Sequence, residues 1–153
     1  MDIFTPATVT FMLTGLVNTI IISAASIVLS IVFGTILALI KTYAHGPWRW
    51  ASWLVSAYIE LFRCTPNLLW ILIFRFTMKG NELLISILVF TVFTSAVMAE
   101  IVRGGLNAIP KGQFEAAQSQ SFGFFQTMRL IVLPQTFKMI VPALFSQCTT
   151  VIK

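Results

Sequence analysis

The sequence has little charge, little cysteine and a single histidine. Only 10% of its 153 residues are charged, against roughly a quarter in soluble globular domains. Hydrophobic residues make up 58% of the chain, so most of the folded surface must face something other than water. The composition therefore indicates a membrane protein, with its formal net charge of +5 placed in the loops at the membrane surface.

The scarce residue types exclude several kinds of site. His45 is the only histidine, which excludes most hydrolytic triads and the usual zinc sites, so we predict no catalytic residues and no metal site. Cys64 and Cys148 lie in apolar runs and are expected to be small buried hydrophobes. No Gly-Lys pair is present, so the chain has no phosphate-binding P-loop and any ATP must be hydrolysed by a partner ATPase. We expect no cofactor to be bound by this chain itself. The basic residues are scattered singly, which argues against nucleic-acid binding.

Four apolar segments dominate the chain. They cover approximately residues 14–40, 48–76, 83–102 and 130–152, and no alternating β pattern competes with a helical interpretation. A membrane-spanning helix needs about 20 apolar residues. The sequence therefore predicts an all-α fold, a polytopic membrane helix bundle with four transmembrane helices.

The distribution of lysine and arginine predicts the orientation of the bundle. One set of loops holds five of these residues and the other holds two, and the richer side should be cytoplasmic. We therefore expect a multi-pass protein of the cytoplasmic membrane, in contact with membrane lipid, with the N-terminus outside. The five are Lys41, Arg49, Arg103, Lys111 and Arg129, and the two are Arg75 and Lys79.

A polar segment separates the third and fourth apolar segments. It contains Glu115-Ala116-Ala117, followed by Ser121-Phe122-Gly123 and then by Ile131-Val132-Leu133-Pro134. This spaced pattern resembles the Glu-Ala-Ala loop of ABC importer permeases, which docks the membrane subunit onto an ATPase. The resemblance implies a cytoplasmic coupling-helix loop whose ATPase-coupling residues are Glu115, Ala116, Ala117, Ser121, Phe122, Gly123, Phe124 and Phe125.

Two features of this loop leave alternatives open. Glu115 could instead cap its own helix, where the helix dipole favours a carboxylate, and the phenylalanines could rest on lipid headgroups. The family has Gly where this chain has Ser121 and often Ser where it has Gly123. Glycine suits the left-handed end of one helix, and serine suits the start of the next. The turn between the two helices, here called the elbow, is therefore expected either to shift by two residues or to be strained.

Two further motifs narrow the resemblance. Glu60 to Pro66 resembles the Glu-x-x-Arg-Gly-Thr-Pro signature of polar amino-acid permeases, and Ala99 to Gly105 resembles their Ala-Glu-x-x-Arg-Gly-Gly segment. These permeases, of the histidine- and glutamine-type, have a five-helix core that dimerises around a central pathway. The resemblance implies that residues 1–153 form an ABC transporter transmembrane domain, incomplete at the C-terminus because the fifth helix is missing. The implied partners are ABC ATPase subunits, a second permease copy or paralogue, an extracellular solute-binding protein and an amino-acid substrate.

Ionisable residues within the apolar segments are the candidates for a translocation pathway. Glu60 and Arg63 are three residues apart on one helix face, and such groups usually face a bundle interior or a water-filled cavity. They are interpreted either as a local ion pair or as part of the pathway, while Glu100 and Arg103 are more typical of structural pairing. The pathway candidates are Glu60, Arg63, Thr65, Pro66 and Glu100. The alternative functions are a small ion-coupled secondary transporter or channel, and a nonfunctional truncated permease.

Overall fold

The computed structural model describes residues 5–44 and 46–152. Every regular element in those ranges is helical, which confirms the predicted all-α class. The expectations for residues 1–4, His45 and Lys153 lie outside the described residues. The elements are α1 (Pro6–Tyr43), a 3-10 turn (Gly46–Trp48), α2 (Arg49–Cys64), α3 (Asn67–Thr77), α4 (Glu82–Asn107), α5 (Lys111–Ser119), α6 (Phe124–Thr127), a π-helical turn (Met128–Val132) and α7 (Leu133–Ile152).

The second apolar segment is the one that differs from the prediction. It was expected to be one span whose helical hydrogen-bonding ladder is interrupted at Pro66, but it forms two separate helices, α2 and α3, whose axes are bent by 101°. Proline disfavours helical geometry in the residue before it, and Thr65 is accordingly extended, with φ −103° and ψ 141°. Three described helices are long and apolar enough to cross a membrane, and a fourth span results when the bent pair is counted as one.

The central contact of the bundle is between α1 and α4. The residues that α1 buries are all small and recur every three or four positions: Ser23, Ser26, Ser30, Gly34 and Ala38. Lipid offers no hydrophobic force to drive helix association, so membrane helices associate through close packing. Small residues allow that packing because they let the two backbones approach closely. The sequence analysis overlooked this stripe, although the regular spacing of its last four members was a readable signal.

Gly34 is the point of closest approach in this stripe. A Cβ atom there would lie 2.7 Å from Met98 Cβ and 3.0 Å from the Ala99 amide nitrogen. Since overpacking costs about 1 to 3 kcal/mol, we expect Gly34→Val to lower the thermal unfolding midpoint of the detergent-purified protein. Gly15→Val is the matched control, because a Cβ at Gly15 meets nothing within 4 Å. Equal destabilisation by both variants would contradict this packing.

A second core lies where α4 and α7 meet beneath α5. Its buried residues include Val102 and Leu106 of α4, Val132 of the π-helical turn and Ile140 of α7. At Gly105 a Cβ would overlap the Ile140 side chain, so α7 also approaches α4 through a glycine. This core therefore connects the polar loop containing α5 to the membrane-spanning helices.

Candidate functional site

The helix α5 has one face on the bundle and one face exposed. Ala117 is 2% exposed, and Phe114 packs against the core shared by α4 and α7. Glu115 and Ala116 are exposed on the outer side of the helix. In the described part of the chain the Glu115 side chain forms no hydrogen bond or ion pair, and α5 has no side-chain cap. Glu115 therefore does not cap its own helix, and its carboxylate is available to a partner.

The elbow after α5 is strained at Ser121. Ser121 has φ 61°, the left-handed region that disfavours every residue except glycine. The Phe122 N–H donates to the Ala117 carbonyl at 3.0 Å and the Ser121 N–H donates to the Gln118 carbonyl at 2.9 Å. These two bonds define a Schellman motif, which normally has glycine at this position. Of the two expected outcomes, the structure has the strained elbow and not the shifted one.

Gly123 begins the next helix with ordinary extended geometry, φ −70° and ψ 163°. Its N–H donates to Gln126 Oε1 at 3.1 Å, which is half of a capping box. A serine hydroxyl at this position would accept from the Gln126 N–H and complete the box. The sequence therefore has serine where glycine is preferred and glycine where serine is preferred.

Exchanging these two residues is expected to stabilise the protein. Ser121→Gly with Gly123→Ser should raise the free energy of unfolding by about 1 kcal/mol, since the left-handed serine costs roughly 1 to 2 kcal/mol and the cap adds a few tenths. The measurement is the thermal midpoint in detergent. Ser119→Gly is the control: it makes the same serine-to-glycine substitution within α5, where glycine is unfavourable, and should lower the midpoint. A lower midpoint for the double variant would refute the strain at Ser121.

The aromatic residues of the elbow divide into two groups. Phe125 is 75% exposed and Phe124 is 61% exposed, although the Phe124 ring also contacts Tyr43 edge to face at 5.3 Å. Phe122 is half-buried and lines a small cavity with Phe114, Thr127 and one edge of the otherwise exposed Phe124. Phe122 thus supports the elbow, whereas Phe124 and Phe125 offer an apolar surface beside α5, suited to a protein partner or to lipid headgroups.

A groove of about 420 Å³ runs between α5 and the start of α7. Ala116 and Gln120 line one side, and Pro134 and Lys138 line the other. The Gln135 Nε2 donates to Gln113 Oε1 at 3.1 Å, which ties the two helices together. Ala116 lines the groove and is next to Glu115 in the chain, so the groove borders the exposed side of α5.

Glu100 is the centre of an ionic network that joins three helices. Arg103 donates to the Glu100 carboxylate from Nη2 at 2.7 Å and from Nε at 3.1 Å. Lys41 Nζ donates to Glu100 Oε1 at 2.8 Å. Arg63 Nη1 lies 3.8 Å from Glu100 Oε2. The sequence analysis paired Glu100 with Arg103, but treated Lys41 only as a loop charge, because nothing local predicts a contact between residues 41 and 100.

Glu60 and Arg63 do not form the local ion pair that was one of their two interpretations. Glu60 is exposed and has no hydrogen bond or ion pair within residues 5–44 and 46–152. The Arg63 side chain is 51% exposed and lies nearest to Glu100. The two side chains therefore present opposite charges on one face of α2 without neutralising each other.

Thr65 and Pro66 form the bend between α2 and α3. The Thr65 hydroxyl donates to the Leu61 carbonyl at 2.6 Å and accepts from Trp70 Nε1 at 2.6 Å. One threonine thus pairs with a carbonyl in the last turn of α2 and, through Trp70, holds the first turn of α3. Cys64 beside it is exposed and Cys148 is intermediate in exposure, so the expectation that both cysteines are buried was wrong.

The fold and the site define a multi-pass helical membrane protein with a short helix that presents an exposed surface at one end of the bundle. The chain belongs to the family of binding-protein-dependent transport system inner membrane components, whose sequence profile matches residues 30–153. This is a family of transport permeases and not a class of enzymes.

Individual relatives agree with this assignment. The chain is 34% identical to the glutamate/aspartate import permease protein GltK of Escherichia coli O6:H1 in an alignment of length 150 that covers 90% of this chain and 66% of that protein. It is 36% identical to the probable glutamine ABC transporter permease protein GlnP of Bacillus subtilis in an alignment of length 148 that covers 94% of this chain and 66% of that protein. The chain thus spans slightly less than two thirds of these relatives.

Solved structures share the fold. An amino acid ABC transporter crystallised with histidines matches with a TM-score of 0.76 at 28% identity, over 99% of this chain and 73% of that one. The inward-facing MetNI methionine ABC transporter matches with a TM-score of 0.83 at 20% identity, over 97% of this chain and 73% of that one. The second likeness concerns the fold alone.

Proposed function

We propose that this chain acts as the transmembrane permease subunit of an ATP-driven amino-acid importer. The observation that carries the proposal is the surface formed by α5 and the elbow, where Glu115 has no partner among the described residues and Phe125 is 75% exposed. A short helix set into a partner's groove is a common recognition mode. The relatives named for import of glutamate, aspartate and glutamine support the substrate class.

The proposed assembly contains two permease subunits, either copies or paralogues, ABC ATPase subunits and an extracellular solute-binding protein. The ATPase binds and hydrolyses ATP, and this chain holds no cofactor and catalyses no reaction. In the proposed topology the bent α2–α3 pair is one span, so that α5 and the N-terminus lie on opposite sides of the membrane, with α5 in the cytoplasm and the N-terminus outside. The excess of lysine and arginine on the side of α5 supports this orientation.

The proposed pathway runs along the polar face of α2 and past Glu100. Spacings of three or four residues place five polar side chains on one face of this helix: Arg49, Ser52, Ser56, Glu60 and Arg63. Charged groups at membrane depth are costly unless they face protein or water. This face and the bend at Thr65 and Pro66 are therefore directed at an aqueous pathway shared with the second permease.

The test is uptake of labelled amino acids by membrane vesicles that contain the chain and its partners. Uptake is expected to require ATP, to be blocked by vanadate and to persist when a protonophore abolishes the proton gradient. The opposite pattern would favour the ion-coupled carrier, for which the unpaired Glu60 carboxylate is the supporting observation. In that case the proposed function would be wrong.

A further inference from the structure

Arg63 has more hydrogen-bonding capacity than the structure uses. A guanidinium carries five N–H donors, and none of those on Arg63 makes a hydrogen bond within the described residues, since its nearest acceptor, Glu100 Oε2, is 3.8 Å away. The Glu100 oxygens are already taken, by Lys41 at 2.8 Å and by Arg103 at 2.7 Å. The half-exposed Arg63 guanidinium is therefore free to bind an anion.

The charge balance around Glu100 also favours an anion. Three cations, on Lys41, Arg63 and Arg103, surround this one carboxylate, which leaves two positive charges in excess. Lys41, Glu100 and Arg103 have side chains 20%, 16% and 35% exposed. An excess charge in such a setting is costly unless it is paired. Arg63 is the most exposed of the three cations, so an incoming anion meets it first.

Glu60 supplies the complementary charge beside Arg63. Helix positions three apart have Cβ atoms about 5 to 6 Å from each other, and the two side chains form no ion pair with each other. An α-amino acid carries its carboxylate and its ammonium on neighbouring carbon atoms. The separation of the two charged groups on α2 thus fits a molecule that joins an anion and a cation over a short distance.

We propose that Arg63 and Glu60 form a subsite for the α-amino-acid group of the transported solute, an inference that rests on the proposed function. The planar Arg63 fork binds the carboxylate through two parallel hydrogen bonds, and Glu60 accepts from the ammonium. Glu100 is a positioning residue: it attracts the guanidinium from 3.8 Å without using its donors. The subsite binds the α-carboxylate and α-ammonium groups, which all amino acids share, and makes no contact with the amino-acid side chain.

The experiment measures equilibrium binding to the purified permease–ATPase complex without the solute-binding protein. The probes are the twenty labelled L-amino acids, and for those that bind, the matching amine that lacks the carboxylate. The wild type is expected to prefer the amino acid at least tenfold, because the amine leaves Arg63 unpaired. Arg63→Gln should lose at least tenfold in amino-acid affinity and most of this preference, and Arg63→Lys should retain part of both.

Arg75→Gln is the matched control, because Arg75 is similarly exposed but already pairs with Glu82 at 2.7 Å. It should bind amino acids as the wild type does. Unchanged affinity of Arg63→Gln, or a wild type that binds no amino acid or does not prefer it over the amine, would overturn the subsite. Loss of copurified lipid phosphate from Arg63→Gln, with amino-acid binding intact, would assign the guanidinium to a lipid headgroup instead. The vesicle experiment decides the proposed function independently, because ATP-dependent uptake can persist while this subsite fails.

Discussion

Reversing the charge of Glu115 is expected to uncouple the proposed importer, reducing substrate-stimulated ATP hydrolysis at least tenfold while leaving membrane insertion intact. Glu115 is exposed on α5 and has no partner of its own in the described structure, so its substitution by lysine removes no internal contact. Like charges placed opposite each other in an interface cost several kcal/mol, and about 1.4 kcal/mol corresponds to a tenfold loss of affinity. The measurement is ATP hydrolysis in proteoliposomes containing the chain and its partners.

Two further variants test whether the loss of stimulated ATP hydrolysis in Glu115→Lys comes from the change of charge and from its position on α5. Glu115→Gln keeps the shape of the side chain and should show an intermediate loss. Lys79→Glu reverses a charge in the loop between α3 and α4, which the proposed orientation places on the opposite side of the membrane, and should leave coupling unchanged. Normal stimulation of ATP hydrolysis in Glu115→Lys would show that α5 does not dock the ATPase through this carboxylate.

The structure of the segment around α5 and the elbow was predictable from the sequence because its chemistry is local. The spacing from Glu115 to Pro134 indicated a short helix, an elbow and a second helix, and the structure has each of them. The cost of left-handed geometry for serine could be stated in advance. The sequence does not reveal whether Ser121 adopts this geometry or the elbow shifts by two residues. The position of the elbow depends on two backbone hydrogen bonds, from Ser121 and Phe122 to α5.

The membrane-spanning part was harder to predict because its contacts are distant in sequence. Pro66 indicated a break in the second segment, but the 101° bend also depends on how α3 packs against α4. The Lys41–Glu100 contact joins residues 59 positions apart. No periodicity within one helix contains that information, since it arises only when the small residues of α1 let α4 approach.

The helix α4 connects the proposed pathway to the docking surface. Glu100 lies on this helix, and Leu106, less than two turns further along, belongs to the core on which Phe114 of α5 packs. Rigid secondary elements are among the structures that carry energetic coupling between distant sites. In the proposed assembly α4 is the element that joins the α5 contact to the Glu100 network, so the network's integrity should matter for assembly as well as for transport.

Removal of the Glu100 charge is expected to destabilise the protein more than any other single neutralisation. Glu100→Gln leaves Lys41, Arg63 and Arg103 without their shared counter-charge. Breaking a buried ion pair from one side costs about 3 to 5 kcal/mol, and the partial exposure of this network reduces the expected loss to about 2 to 3 kcal/mol. The measurement is the thermal midpoint in detergent together with the fraction of protein that assembles with the ATPase.

The exposed pair of Arg75 and Glu82, 2.7 Å apart, provides the control for that measurement. Glu82→Gln should cost less than about 1 kcal/mol, because both side chains are solvated. Replacing the whole buried set, with Lys41→Met, Glu100→Leu and Arg103→Met together, should recover most of the stability that Glu100→Gln loses, since no charge among the three is left unpaired. If Glu100→Gln and Glu82→Gln had equal effects, water would already screen the network. The excess of positive charge around Glu100, to which Arg63 contributes, would then no longer favour binding of an anion.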